Sequence, residues 1–294
     1  MQERLIEKAT ELLNKSQVDR VLAYEQDVFT MMVPTFFTTA QSVQNLVYNK
    51  FCNTNLSRYL IDLKNQDGKT LVFLRPCDTY VFNQLLKENL VDREKTYIVG
   101  VSCQGKGIVE ELEDTGKMHE GCTVCKKDTH KIYDELILEQ IDKPAPKERM
   151  ADIEALEEKT SLERFLFFKN ELSKCIRCNA CRNICPVCNC KKCVFDNSKF
   201  DTEQKANAST FEEQMFHIIR AYHVAGRCSD CYECSRVCPQ NIPLHLLNRK
   251  LIKDINELFG EYHAGEDATT IGPLTHFKTD EDPEPNIVHK RGNS

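Results

Sequence analysis

Several things that would place a chain in a functional class are missing or scarce in these 294 residues. Tryptophan is absent, which by itself excludes nothing, and glycine is limited to 11 residues. No G-x-G-x-x-G occurs, so the turn that lets a backbone approach a dinucleotide pyrophosphate is lacking. Basic charge is not in excess: 39 Lys and Arg against 45 Asp and Glu leave a formal charge of −6, with the two signs interleaved. Phosphate binding needs a basic footprint, so nucleic acid is not expected as a partner. No apolar run approaches the ~20 residues that span a bilayer. Met1-Gln2-Glu3-Arg4 leads into an amphipathic segment rather than a secretory leader, so a cytoplasmic location is expected. No catalytic triad or carboxylate pair stands out. The histidines are scattered, and His217 and His223 read as satisfied or solvated. The run Glu110-Glu111-x-Glu113 reads as a solvated helix face.

Cysteine runs the other way, with 16 in the chain. A cytosolic chain keeps its thiols reduced, so this count points to metal rather than disulfides. Half of them fall in two runs of the same spacing, Cys175-x2-Cys178-x2-Cys181-x3-Cys185-Pro186 and Cys228-x2-Cys231-x2-Cys234-x3-Cys238-Pro239. This is the bacterial ferredoxin pattern for cubane iron–sulfur clusters. Three thiolates on a tight loop reach three irons of one cube. The fourth, set further on before proline, ligates the cluster of the other run. Crossed ligation then assigns Cys175, Cys178, Cys181 and Cys238 to one cluster, and Cys228, Cys231, Cys234 and Cys185 to the second. The rival readings are zinc sites or a disulfide scaffold. Zinc usually takes paired ligands separated by a longer loop, not four packed thiols ending in Cys-Pro. Two cubanes imply that the chain carries single electrons.

Eight cysteines remain. Cys77 and Cys103 follow two apolar segments that read as neighbouring strands, and ligands of open α/β sheets bind at that edge. With Cys122-x2-Cys125 they make a candidate third cluster; the alternative is that Cys77 and Cys103 are plain buried cysteines. Cys188, Cys190 and Cys193 crowd into an insertion after Pro186, and Cys52 is left over as the outlying ligand of a candidate fourth. A different pairing joins Cys122-x2-Cys125 with Cys190-x2-Cys193 as structural zinc.

The pattern along the chain divides it. Leu5, Ala9, Leu12 and Leu13 share a helix face, and Val21–Tyr24 reads as a strand. A helix is expected from about Ser42 to Leu63. Leu71–Leu74, a helix capped by Asp78, and Tyr97–Val101 make a strand–helix–strand unit, which implies parallel pairing. Lys143-Pro144-Ala145-Pro146-Lys147 suggests a boundary near 142–160, or an ordinary surface loop. Thr160-x-x-Glu163 and Thr210-x-x-Glu213 resemble capping boxes. The first opens a helix with Leu162, Phe165, Leu166, Phe168 and Leu172 as its face. The second opens one with Phe211, Met215, Ile218, Ile219 and Tyr222, read as core packing. Another helix follows Ile242-Pro243 and ends near Gly260. The expected organisation is an α/β domain with parallel strands over 1–150, a mainly helical ferredoxin-like dicluster domain over 160–262, and a polar tail over 263–294. That tail is either disordered or an arm for a partner.

At this point the residues resemble a family. Val99-Gly100-Val101-Ser102-Cys103-Gln104-Gly105 is similar to the G-x-P-C-Q segment of the coenzyme F420 hydrogenase/dehydrogenase beta-subunit family, which includes formate dehydrogenase beta subunits. Arg75-Pro76-Cys77-Asp78 through Cys125 and the run from Cys175 to Cys181 fit the same family. Two departures stand out: the first domain is short, and Ser102 stands where the family has proline. The resemblance implies an electron-relay subunit between a catalytic oxidoreductase partner and a second carrier. The partner would be a formate dehydrogenase, a hydrogenase or a heterodisulfide-reductase-type complex. It also implies an alternative, since some relatives bind FAD: a flavoenzyme site exchanging hydride with NAD(P)H or coenzyme F420. No residue here is assigned to a flavin.

Overall fold

The computed structural model describes residues 1–110, 113–141, 144–196 and 211–275. Helix α1 (Gln2–Asn14) opens the chain, followed by strands β1 (Arg20–Gln26), β2 (Met32–Phe37) and β3 (Leu46–Val47). Then come β4 (Thr70–Leu74), α2 (Pro76–Lys87) and β5 (Thr96–Val101). β6 (Gly107–Glu110) and β7 (Glu113–Met118) pair as a separate antiparallel ribbon, before α3 (Glu120–Thr123) and β8 (Glu135–Ile137). The main sheet runs β2-β1-β4-β5-β8, with β3 also on β1. β1, β4, β5 and β8 are mutually parallel, while β2 and β3 are antiparallel to β1.

Strand alternation splits the apolar residues into two layers. Val21, Ala23, Leu71, Phe73, Val99 and Val101 face α1 and its Leu5, Ala9 and Leu12. Leu22, Tyr24, Val72, Leu74 and Ile98 face α2 with its Val81, Phe82 and Leu85. Both faces of the parallel strands are covered, which is why these segments read as continuous apolar runs. Helix α2 begins at Pro76, a favoured first position because proline has no amide to leave unpaired. Asp78 therefore sits a turn inside the helix rather than at its cap. It reaches back to accept from Arg75 N at 3.2 Å and Arg75 Nε at 2.8 Å.

The helix expected over 42–63 does not form. That stretch is a 3-10 turn (Ser42–Asn45), β3, and a 3-10 helix (Leu56–Leu63). Asparagines interrupt it: Asn49 Oδ1 accepts from Phe51 N at 2.8 Å, and Asn55 Oδ1 from Ser57 N at 3.0 Å. Such local bonds compete with the helical ladder.

The second half is helical: α4 (Ala151–Glu157), α5 (Ser161–Ser173), α6 (Ala180–Ile184), α7 (Phe211–His223), α8 (Glu233–Arg236) and α9 (His245–Phe259). The Thr160 capping box is present, with Thr160 N donating to Glu163 Oε2 at 2.7 Å and Glu163 N to Thr160 Oγ1 at 3.3 Å. Thr210 of the other expected box lies outside the described residues, as do Glu111, residues 142–143 and the tail beyond 275. Within the expected boundary, α4 packs on α9, and Glu157 pairs with Lys250 and Lys253. The start of the tail lies back on the first half: Gly265, at φ +77°, passes so close to α2 that a Cβ there would meet the Tyr80 carbonyl oxygen at 1.7 Å.

Two helices face the opposite way from the expectation. On α7 the buried residues are Glu213, Phe216, His217, Arg220 and Ala221, while Phe211 and Tyr222 are exposed. On α5 only Leu172 is buried, and Leu162, Phe165 and Leu166 are exposed. Their outward apolar faces line a groove with Met215, Ile218, Leu247 and Leu251. Among the described residues no helix is long and apolar enough to cross a membrane.

Candidate metal centres

The two cysteine runs fold as a repeat. In the first, Arg177 and Asn179 flank Cys178 with φ of 56° and 59°; in the second, Asp230 and Tyr232 flank Cys231 with φ of 56° and 61°. Left-handed backbone costs ~1–2 kcal/mol at each non-glycine residue, so such loops need a compensating interaction. The turns aim amides at sulfur. Arg177 N donates to Cys175 Sγ at 3.3 Å, and the amides of Asp230 and Glu233 donate to Cys228 and Cys231. A short helix follows each loop: α6 carries Cys181 and α8 carries Cys234, and the two pack together.

Between the loops lie two cavities. One is lined by Cys175, Cys178, Cys181 and Cys238, beside Phe216 and His217. The other is lined by Cys185, Cys228, Cys231 and Cys234, beside Tyr232 and Asn248. Each gathers three cysteines of one run and the last of the other. Burial pushes the Cys181 thiol up to about 12 against the pull of Arg220. It pushes Cys231 to about 12 as well, with Glu233 and Cys185 adding to it. Four thiols lining one cavity do not all ionise side by side without positive charge among them. An iron core supplies that charge and binds the deprotonated form. Polar atoms are also buried here without partners: both ring nitrogens of His217 and Oδ1 of Asn248. The donor sets fit one cubane per cavity. Among the described residues no three His, Cys, Asp or Glu groups close on a point for a single ion. Ligands of a cubane bind at the corners of an extended body and need not do so.

Cys77 lies in the first turn of α2 and Cys103 just past β5, at the carboxyl ends of adjacent parallel strands. Burial raises the Cys77 thiol, and Cys103 adds to it. Burial likewise raises Cys122, with Cys103 and Cys125 adding to it. Gly105 N donates to Cys103 Sγ at 3.4 Å and Lys106 N to Cys122 Sγ at 3.3 Å. Cys77, Cys103, Cys122 and Cys125 are thus brought together. Cys188, Cys190 and Cys193 gather with Cys185: burial pushes Cys188 to about 11, and the other three reinforce it. Cys52 lies elsewhere, in the apolar layer with Tyr24, Leu56 and Val72. Its thiol reaches the Val47 carbonyl at 3.6 Å, and burial raises it to about 11. Cys122 and Cys125 do not pair with Cys190 and Cys193; each pair joins a different group of thiols.

The seam between the halves is polar and buried. Lys106 Nζ meets Glu233, both almost fully enclosed, and Arg236 reaches the other Glu233 oxygen at 2.7 Å. Burial opposes the Glu233 carboxylate, but Lys106 and Arg236 outweigh it and hold its pKa at about 2. Arg227 Nε donates to Glu88 at 2.7 Å, and Arg149 pairs with Asp230 at 3.2 Å. Gly121 sits against Tyr232, where a Cβ would lie 2.5 Å from the ring. Lys106 belongs to both sides: its amide bonds Cys122, and its ammonium holds the loop carrying Cys231 and Cys234. Sequence reading missed Lys106, Glu233, His217 and Arg220. For α7 a signal existed, because Glu213, His217 and Arg220 recur at i, i+4 and i+7 and so share a face.

Residues 171–242 match the 4Fe-4S dicluster domain family. The chain is also similar to the F420-dependent formate dehydrogenase subunit beta of Methanocaldococcus jannaschii, at 23% identity over 90% of this chain and 91% of that protein. Similarity to the F420-dependent formate dehydrogenase 1 subunit beta of Methanococcus maripaludis is 24% over 87% and 88%. The dicluster domain and the 16 cysteines make this a protein of several 4Fe–4S clusters. The resemblance read from Cys103 and the two runs extends along most of the chain: it is similar to these formate dehydrogenase beta subunits over 87–90% of its length and carries a 4Fe–4S dicluster domain.

Proposed function

We propose that this chain is an electron-relay subunit of a cytoplasmic oxidoreductase complex, of formate dehydrogenase, hydrogenase or heterodisulfide reductase type. The observation that carries the reading is the pair of cavities, each lined by three cysteines of one run and the fourth of the other. When bound there, the clusters supply one-electron chemistry. The residues hold the sulfurs, donate amide hydrogen bonds to them, and keep water out. The order along the relay follows the charged contacts. The group of Cys77, Cys103, Cys122 and Cys125 adjoins the cavity of Cys228, Cys231, Cys234 and Cys185 through Lys106 and Glu233, and that cavity adjoins the one of Cys175. Electrons enter or leave at its ends, so a catalytic subunit and a second carrier are the expected partners; both relatives are named as beta subunits.

Iron, zinc, sulfide and flavin assays on anaerobically purified protein test this. The two cavities require about eight irons, four per cubane, and the third group raises the count to about twelve. About four or fewer irons in intact protein would sink the reading. Co-purification from native extract tests the partner: a lone monomer that turns over an organic substrate would show an enzyme rather than a relay. A second reading, a flavin site of the chain's own, is favoured by one feature. A wide cleft between the halves is lined by Phe51, His119, Tyr232 and His245, and Tyr232 stacks on His245 at 4.5 Å beside the second cavity. Extractable FAD at one per chain would support it.

A further inference from the structure

Arg220 occupies a position that neither half-site explains. It lies on α7, the helix between the two runs, and is only 3% exposed. Burying a guanidinium costs several kcal/mol unless an anion accompanies it. Two other deeply enclosed arginines pair with carboxylates: Arg75 with Asp78, and Arg249 with Asp230 and Asp152. Arg220 has none. Its Nε, Nη1 and Nη2 are buried and meet no oxygen acceptor among the described residues. What surrounds it is sulfur. Phe216 and His217, one turn before it on α7, line the cavity of Cys175, and Val224, one turn after it, packs with Cys185, Cys188 and Cys228; the thiols that feel its charge are Cys234, Cys181, Cys185 and Cys188. The four come from both cluster sets. Cys181 lines the first cavity, Cys234 and Cys185 line the second, and Cys188 belongs to the insertion next to it.

We propose that Arg220 is a countercharge shared by the two dicluster sites, held between them so that it raises the reduction potentials of both and favours an electron resting on either. This rests on the two-cluster reading. The physics is Coulombic. A tetrathiolate cubane is anionic and gains a further negative charge on reduction. A fixed cation nearby, in a water-poor interior, stabilises the reduced form more than the oxidised one. The same guanidinium acts on both sites, and its Coulomb terms at the two simply add. Arg220 is a positioning residue in this role: it sets energies without ligating iron. Arginine suits the position because its planar fork can donate in two directions at once, which a lysine ammonium does less well.

The test uses the full chain purified without oxygen, in wild-type, Arg220→Gln and Arg220→Lys forms. Iron and sulfide are measured first. Wild-type protein without about eight irons per chain defeats the two-cluster reading itself, an outcome distinct from any change in midpoint potential. Potentiometric titrations monitored by electron paramagnetic resonance then give the midpoints. For Arg220→Gln at full iron content we expect both clusters to become harder to reduce by about tenfold or more in equilibrium constant, a fall of about 59 mV for a one-electron couple. Arg220→Lys keeps the charge and should restore both midpoints most of the way. Unchanged midpoints in the glutamine variant, or a fall confined to one cluster, overturn the proposal. If the glutamine variant fails to hold iron, the lysine variant decides. Recovery of both clusters with near wild-type midpoints supports a shared charge. Failure of lysine to recover them shows a packing role and overturns it.

Discussion

The two halves of the molecule build their cores from different material. In the sheet half, aliphatic side chains from alternate strand positions fill two layers, and buried charge such as the Arg75–Asp78 pair lies just past the end of β4. In the dicluster half, α7 buries Glu213, His217 and Arg220 and exposes Phe211 and Tyr222, while α5 exposes Leu162, Phe165 and Leu166. The difference teaches what each core is made of. Hydrocarbon layers are held by removal of apolar surface from water. The second core is organised around thiols, and anionic sulfur attracts cations and hydrogen-bond donors rather than methyl groups.

The strongest way to test this contrast is to take the iron away. Chelation under anaerobic conditions should abolish amide-exchange protection across α6, α7 and α8 while leaving β1, β4 and β5 protected, because a ligand that binds only the folded form carries folding free energy. Equal protection in both halves after iron loss would break the comparison. Next in size is Cys238→Ser. It should cost the cluster of Cys175, Cys178 and Cys181, visible as loss of about half the dicluster iron, and spare the cluster beside its own sequence neighbours. Loss confined to the Cys228–Cys234 cluster would reverse the assignment.

The seam supplies the third test. Glu233→Gln leaves Lys106 buried with a neutral partner and should destabilise the chain by about 3–5 kcal/mol in denaturant titration. Replacing both members by apolar residues should cost much less. Equal losses from the single and double changes would show that charge pairing is not what matters there. The smallest effects come from the paired surfaces. Leu71→Ala in the sheet should cost about 2–5 kcal/mol, whereas Phe165→Ser, at a residue 55% exposed, should fall within about 0.5 kcal/mol. A large loss at Phe165 would mean that the α5 face is a core after all.

This contrast also explains what the sequence made legible. The strands at Val21–Tyr24, Leu71–Leu74 and Tyr97–Val101 were readable because they obey the rule that apolar means inside, and so was α1. The two sulfur loops were readable because ligand spacing is a local constraint. The orientation of α7 was not, because reading Met215, Ile218 and Tyr222 as core assumes a hydrocarbon interior. The stretch 42–63 misled for a different reason: its apolar residues have helical spacing, but Asn49 and Asn55 bond their own backbone instead. The gathering of Cys77, Cys103, Cys122 and Cys125 was legible only through the strand edge that places the first two. Cys52 was assigned to the insertion by arithmetic on the cysteine count, which carries no information about distance.

Gly121 lies flat against the Tyr232 ring, and the buried pair of Lys106 and Glu233 stands nearby. Neither arrangement tolerates sliding. A carrier that works by swinging a cofactor from donor to acceptor needs a hinge, and this seam is the opposite, a weld. Electrons crossing it meet the same gap on every passage. On the proposed relay, control over timing then resides outside the chain, in the arrival and departure of partners.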